Sequence, residues 1–224
     1  MNLEQARANM IEQQIRPWEV LDPAVISVLG SLRREDFVPS AHRALAFADL
    51  QIPLLDTPSS LTQGTCMLEP KVEAKLLQEL QLQPTDRVLE IGTGSGFMAA
   101  LLSRMAAQVV TVEILPALCE TARANLQRAG VNTVQVEPGD GAQGWAQGAP
   151  WDAILLSGSV EQVPQALLSQ LAVGGRLAAI EGQWPVMQAC VHTRVSDSAC
   201  RREVIFETVA PRLLHFPQAA RFKF

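Results

Sequence analysis

The stretch Glu90-Ile91-Gly92-Thr93-Gly94-Ser95-Gly96 sets three glycines two apart. Glycine reaches positive φ and lets a ligand approach the backbone closely. Just before it, Arg87-Val88-Leu89-Glu90-Ile91 reads as a short apolar strand, and the spacing after it predicts a helix over 96–107. A helix start leaves N–H groups unpaired. Strand, glycine turn and helix in that order make a nucleotide-type site at the carboxyl end of a strand. Glu113 closes the next predicted strand, 109–113, seventeen residues beyond Gly96. An acidic side chain at that place accepts hydrogen bonds from ribose hydroxyls.

A dinucleotide needs G-x-G-x-x-G, with pyrophosphate at the helix start. Here the third glycine comes one residue early. Glu90 also stands just before the turn, where a carboxylate opposes a pyrophosphate but suits a cationic sulfonium or an amino group. Both departures favour S-adenosylmethionine. A dinucleotide, and a tight turn with no ligand, are the alternatives.

These residues need elements to position them. From Arg87 onward, apolar strands alternate with helices. The strands are 87–91, 109–113, 134–137, 152–156 and 176–180; the helices are 96–107, 116–129 and 163–171. Such alternation implies a parallel sheet covered on both faces. Residues 187–195 and 202–209 are separated by too short a stretch for a parallel crossover and predict an antiparallel pair. Upstream, a helix is expected over 3–16, ended by Arg16-Pro17. A second begins at Asp22-Pro23, with Asp22 as cap and Val25, Ile26, Leu29 and Leu32 inward. Residues 36–68 read as irregular, and a third helix runs from about Pro70 to Leu80. The expected organisation is an N-terminal helical cap with a substrate-side loop over 1–80, then a cofactor-binding unit over 81–224, forming one compact unit.

Composition narrows the function. A net charge of −5 argues against broad attraction to nucleic acid or anionic lipid. No apolar run reaches the length of a membrane span, and the N-terminus lacks a signal peptide's basic start and apolar block. The cytoplasm is the expected location. Cys66, Cys119, Cys190 and Cys200 are scattered, and with His42, His192 and His215 they show no ligand spacing, so no metal is expected.

The chain resembles the protein-L-isoaspartate O-methyltransferase family along most of its length. Phe37-Val38-Pro39, Ala46-Phe47-Ala48-Asp49 and Ile52-Pro53-Leu54 resemble the family's early segments, and Asp86 to Gly96 matches very closely. Gly139-Asp140-Gly141 matches the segment facing the adenine, while Asp152-Ala153-Ile154 and Gly174-Gly175-Arg176-Leu177 match later strands. The resemblance implies an α/β, Rossmann-like, S-adenosylmethionine-dependent methyltransferase fold. Its sheet would be mostly parallel, with a C-terminal antiparallel hairpin and the helical cap. It also implies methyl transfer to the α-carboxylate of isoaspartyl residues, the first step of protein repair, with a protein or peptide as partner. That chemistry needs no catalytic triad, because carboxylate and sulfonium are already reactive and alignment does most of the work.

Together these readings give an expected cofactor set: Glu90, Gly92, Thr93, Gly94, Ser95, Gly96, Glu113, Ile114, Asp140, Gly141 and Ser157. Ser157 either lines the pocket or caps the next segment. The substrate side departs from the family. Its Thr-Ile-Ser-Gln-Pro segment falls on Cys66-Met67-Leu68-Glu69-Pro70, so the serine position is Leu68 and the glutamine position Glu69; the histidine of the preceding Gly-His-Gly-Gln segment is missing. Ser59, Ser60, Thr62 or Thr65 could supply a hydroxyl from a rearranged loop. Cys66 reads as an incidental thiol, Gln188 as a strand-face residue, Trp18 as packing under the N-terminal helices, and Arg221–Phe224 as a tail. Two other functions compete: a methyltransferase of this fold with a different acceptor, and a cofactor-binding protein without catalysis.

Overall fold

The computed structural model describes residues 2–55, 57, 60 and 64–218. Its centre is a seven-stranded sheet built from β3 (Arg87–Ile91), β4 (Gln108–Glu113), β5 (Val134–Pro138), β6 (Trp151–Val160), β7 (Leu171–Gln183), β8 (Val186–Ser196) and β9 (Ala199–Thr208). The order is β5-β4-β3-β6-β7-β8-β9. The five strands β5 to β7 in that order are mutually parallel, and β8 and β9 close the sheet as antiparallel neighbours. The chain runs outward from β3 to β5 and returns to β6 on the other side of β3. That reversal opens a crevice above the carboxyl ends of β3 and β4.

Strand periodicity sorts the core onto two faces. Val88, Val109, Ala153 and Leu155 face one side, where α3 (Pro70–Glu79), α4 (Phe97–Ser103) and α5 (Pro116–Arg128) pack. Leu89, Ile91, Val110, Ile154 and Leu156 face the other, under α6 (Gln165–Ser169) and Trp151. The first core also takes Met10, Ile15, Leu29 and Phe37 from the N-terminal region, so residues on both sides of position 80 share it.

Several boundaries differ from the sequence reading. The first helix, α1 (Leu3–Met10), does not stop at Arg16: it widens into a π-helical stretch, Ile11–Ile15, and tightens into a 3-10 turn, Arg16–Trp18, ending at Glu19 with φ 58°. Pro17 lies in the first positions of that short turn, where its missing N–H has no bond to break. Helix α4 is shorter than 96–107 because Ala107 N–H already bonds Asp86 O beside β3. Helix α6 is shorter than 163–171 because Val163 N–H goes to Glu181 Oε1 and Leu171 opens β7. Within 36–68, two-residue strands β1 (Ile52–Pro53) and β2 (Cys66–Met67) pair antiparallel.

The cap is tied down by specific bonds. Asp22 accepts from Ala24 N–H at 2.7 Å and starts α2 (Pro23–Ser31) with Pro23 at its first turn. Asp22→Ala should cost about 1 kcal/mol, read as a lower urea midpoint with an unchanged slope; an unmoved midpoint would show that packing alone starts α2. Each nitrogen of buried Arg34 has an acceptor: Nε donates to Ala46 O, Nη1 to Glu73 Oε2 at 2.6 Å and Nη2 to Leu68 O. One guanidinium thus joins the cap, the segment after β2 and α3. Among the described residues no helix is long and apolar enough to cross a membrane.

Candidate functional site

The turn after β3 is shaped by its glycines. Gly92 has φ 95°, and a Cβ there would lie 2.8 Å from Leu213 Cδ2. Gly141 is needed for a different reason: its Cβ would fall 2.6 Å from Ile91 Cγ2. Both keep backbone, not side chain, facing the crevice. Glu113, buried at the end of β4, accepts from Gly94 N–H at 2.9 Å through Oε2 and from Leu115 N–H at 3.0 Å through Oε1. Its carboxylate therefore pins the glycine turn to the following strand end.

The crevice holds roughly 600 Å³ counting its open mouth. Of the expected cofactor residues, Gly92, Gly94, Glu113, Ile114, Asp140, Gly141 and Ser157 line it. Asp140 Oδ1 accepts from Ala142 N–H, and its Oδ2 meets His215 Nδ1 at 2.8 Å. Burial alone would raise the Asp140 carboxyl; the Ala142 N–H and His215 outweigh it and hold the group below the ordinary range.

Glu90, Thr93 and Ser95 lie elsewhere: they line an inner chamber behind the turn with Leu68, Glu73 and Met98. Gly92, Gly94, Cys66 and Ser157 border both spaces. Glu90 is fully buried; Ser157 Oγ donates to its Oε1 at 2.6 Å and Thr111 Oγ1 to its Oε2 at 2.7 Å. Burial pushes its carboxyl up to about 8, against the pull of those two hydroxyls. Ser95 Oγ accepts from Phe97 N–H, and Thr93 Oγ1 pairs with Thr111 Oγ1. Gly96 lines neither space; it precedes α4 and packs against Ala122 and Leu126.

On the substrate side, Leu68 is buried and points no hydroxyl anywhere. Ser60 and Thr65 do not replace it. Ser60 Oγ donates to Thr65 O and Thr65 Oγ1 to Ser60 O, so both hydroxyls are spent closing their own loop. Ser59, Thr62 and the Arg221–Phe224 tail lie outside the described residues. Burial, then Glu69 and Glu73, push the Cys66 thiol up to about 12, which makes it a poor nucleophile. Trp18 packs edge-on against Phe206, away from the crevice lining, with Lys71 over its face. Gln188 accepts from Arg202 on the sheet.

Sequence reasoning missed one wall. After β9 the chain crosses back over the sheet as a strap. Ser159 Oγ donates to Ala210 O, Ser159 N–H to Pro211 O, and Leu213 N–H to Ser159 O. Arg212, Leu213, Leu214 and Phe216 thereby line the crevice, and Phe216 is buried in the core of the α6 face. An apolar residue within a proline-punctuated C-terminal stretch was the available signal.

A family model described as Protein-L-isoaspartate(D-aspartate) O-methyltransferase matches residues 5–206. A Protein-L-isoaspartate O-methyltransferase 1 of Rhodopseudomonas palustris is 39% identical over 199 residues, covering 88% of this chain and 78% of that one. A Protein-L-isoaspartate O-methyltransferase of Methanoculleus marisnigri is 41% identical over 176 residues, covering 79% and 77%. A solved protein-L-isoaspartate O-methyltransferase superposes with a TM-score of 0.80 at 25% identity, over 92% of this chain and 65% of that one. A Plasmodium falciparum structure described as a protein-L-isoaspartate O-methyltransferase in complex with S-adenosyl-L-homocysteine shares the fold, with a TM-score of 0.77 at 16% identity over 94% and 97%.

Proposed function

The chain belongs to the protein-L-isoaspartate(D-aspartate) O-methyltransferase family, and from that premise we propose that it methylates the carboxylate of isoaspartyl residues in damaged protein, using S-adenosylmethionine. The observation that carries the reading is the convergence of Gly92, Gly94, Glu113, Asp140, Gly141 and Ser157 on one crevice at the sheet's reversal. The cradle fits the cofactor: backbone is exposed where a Cβ at Gly92 or Gly141 would clash, and carboxylates stand around it. S-adenosylmethionine supplies, when bound, a methyl group on positively charged sulfur.

The chain's own residues do the rest. Glu113 keeps one lone pair per oxygen for ribose hydroxyls after binding Gly94 and Leu115. Glu90, behind the turn, sets a negative potential when ionised and so favours a cation beside it. An acceptor carboxylate is ionised at neutral pH and needs no base to take its proton. What the protein must add is alignment of acceptor and methyl group.

The test is methyl incorporation into an isoaspartyl peptide, with the ordinary aspartyl peptide as control. Turnover on the first alone supports the reading. Calorimetric binding of S-adenosylhomocysteine without any turnover sinks it. Leu68 and the negative Glu69 favour a second reading, the same fold acting on another acceptor; a screen of neutral and amine acceptors decides that, and a silent screen leaves cofactor binding without catalysis.

A further inference from the structure

Four of the exposed large apolar side chains, Trp184, Val186, Val209 and Leu214, lie at one end of the sheet. Trp184 is 77% exposed and stands in the turn between β7 and β8, next to Val186 at 54%. Val209 follows β9, and Leu214 belongs to the strap. The ladder brings the first three together: Gln183 pairs with Val186 and Met187 with Thr208, which sets Val209 beside the start of β8. Because β7 runs parallel to β6, this turn stands at the carboxyl end of the parallel strands, the end at which Ser157 enters the crevice wall.

Two bonds hold the turn against the site. Gln183 Nε2 donates to Glu161 Oε1 just beyond β6, and Gly182 O accepts from Arg212 Nη2 of the strap at 2.6 Å. The strap in turn lines the crevice, and Leu214 is at once exposed and part of that lining. An apolar surface therefore runs from the β7–β8 turn across the strap to the crevice mouth. Glu161, Gln162, Gln188 and Arg202 edge it with polar groups around a shallow hollow that Val186 also lines. An apolar centre within a polar border is the make-up of a protein-binding surface, and Trp is among the side chains that carry most of the energy of such contacts.

We propose that this surface docks the polypeptide that carries the methyl acceptor, with Trp184 packing on an apolar side chain a few residues from the reacting one. The proposal rests on the isoaspartyl reading above, in which the acceptor is a residue within a polypeptide. Such a substrate does not end at the crevice; its chain has to leave across a wall, and the strap continues into the β7–β8 turn. Gly182 is one arginine side chain from the strap and Trp184 two residues further, so about four to six residues of extended chain, at about 3.3 Å each, span the distance. Leu68 offers no hydroxyl to hold an acceptor, and docking of the flanking chain supplies grip without touching the reacting atoms.

The experiment uses the full chain and three isoaspartyl peptides: a short core, a long form with phenylalanine about five residues from the isoaspartyl residue on each side, and the same long form with serine there. Methyl transfer is read for each, and affinity in the presence of S-adenosylhomocysteine. The unaltered protein should favour the phenylalanine form over the other two by about tenfold in affinity and KM, at equal kcat. Trp184→Ala should bind all three alike and keep the core's kinetics and the S-adenosylhomocysteine affinity within about twofold. Trp184→Phe should restore most of the preference. A preference that survives in Trp184→Ala overturns the proposal, and so does an unaltered protein that binds the three alike. Sedimentation without peptide covers the other occupant: a dimer that Trp184→Ala dissolves, with no peptide preference, assigns the surface to a second copy and also overturns it. Absent turnover fells the isoaspartyl reading, while the affinities still decide for or against Trp184.

Discussion

Glu113→Ala should weaken S-adenosylhomocysteine binding by about two to three orders of magnitude in calorimetry, the sum of two effects at one carboxylate. The first is loss of the turn's anchor. Gly94 N–H and Leu115 N–H both donate to Glu113, at 2.9 and 3.0 Å. Hydrogen bonds to a charged group contribute about 1.5–3 kcal/mol each. Without them the glycine turn is free to leave the conformation that exposes its backbone. The second effect is loss of the proposed acceptor for ribose hydroxyls at the crevice wall. Glu113→Gln retains one acceptor oxygen and should fall between, with roughly a tenfold loss. Alanine variants that bind as tightly as the unaltered chain would show that ribose is held elsewhere.

How far the site could be read from sequence follows from how local each part is. The β3 turn and Glu113 were legible because strand, glycines, helix and second strand follow one another in sequence, and their order alone places them at one crevice. The spacing of the glycines could not say which of them borders the crevice: Gly92 and Gly94 do, whereas Gly96 packs at the start of α4 against Ala122. Glu90 was legible as an acid near the turn but not as one facing the chamber behind it, since that depends on Ser157 and Thr111 arriving from β6 and β4. Strap residues Arg212 to Phe216 have no strand or helix period. Their position comes from backbone bonds to Ser159, about fifty residues earlier in the chain, and from burial of Phe216. The lengths of β6 and β7 were underestimated for a related reason: both extend past their apolar runs because neighbouring strands, not their own side chains, complete the ladder.

Glu90→Gln should stabilise the cofactor-free protein at pH 8 and weaken its grip on S-adenosylmethionine. Burial holds the Glu90 proton up to about pH 8, against an ordinary value of 4.5. Between those values the folded chain binds more protons than the unfolded one, so stability falls as pH rises through that window and levels off above it. At pH 7 the cost is on the order of 3 kcal/mol. Glutamine never ionises and removes that slope. Its amide can still be met, because Thr111 Oγ1 also pairs with Thr93 Oγ1 and either hydroxyl can donate. A cation in the crevice acts in the opposite direction: it favours the carboxylate, so binding releases a proton and affinity climbs with pH toward about 8. The release is read as a binding enthalpy at pH 7 that differs between two buffers of unlike ionisation enthalpy. It should be clear with S-adenosylmethionine, smaller with S-adenosylhomocysteine, which lacks the sulfonium charge, and absent in Glu90→Gln. A buffer-independent enthalpy in the unaltered protein would put Glu90 outside the cofactor's field, and its buried charge would then be a cost to stability with no return in binding.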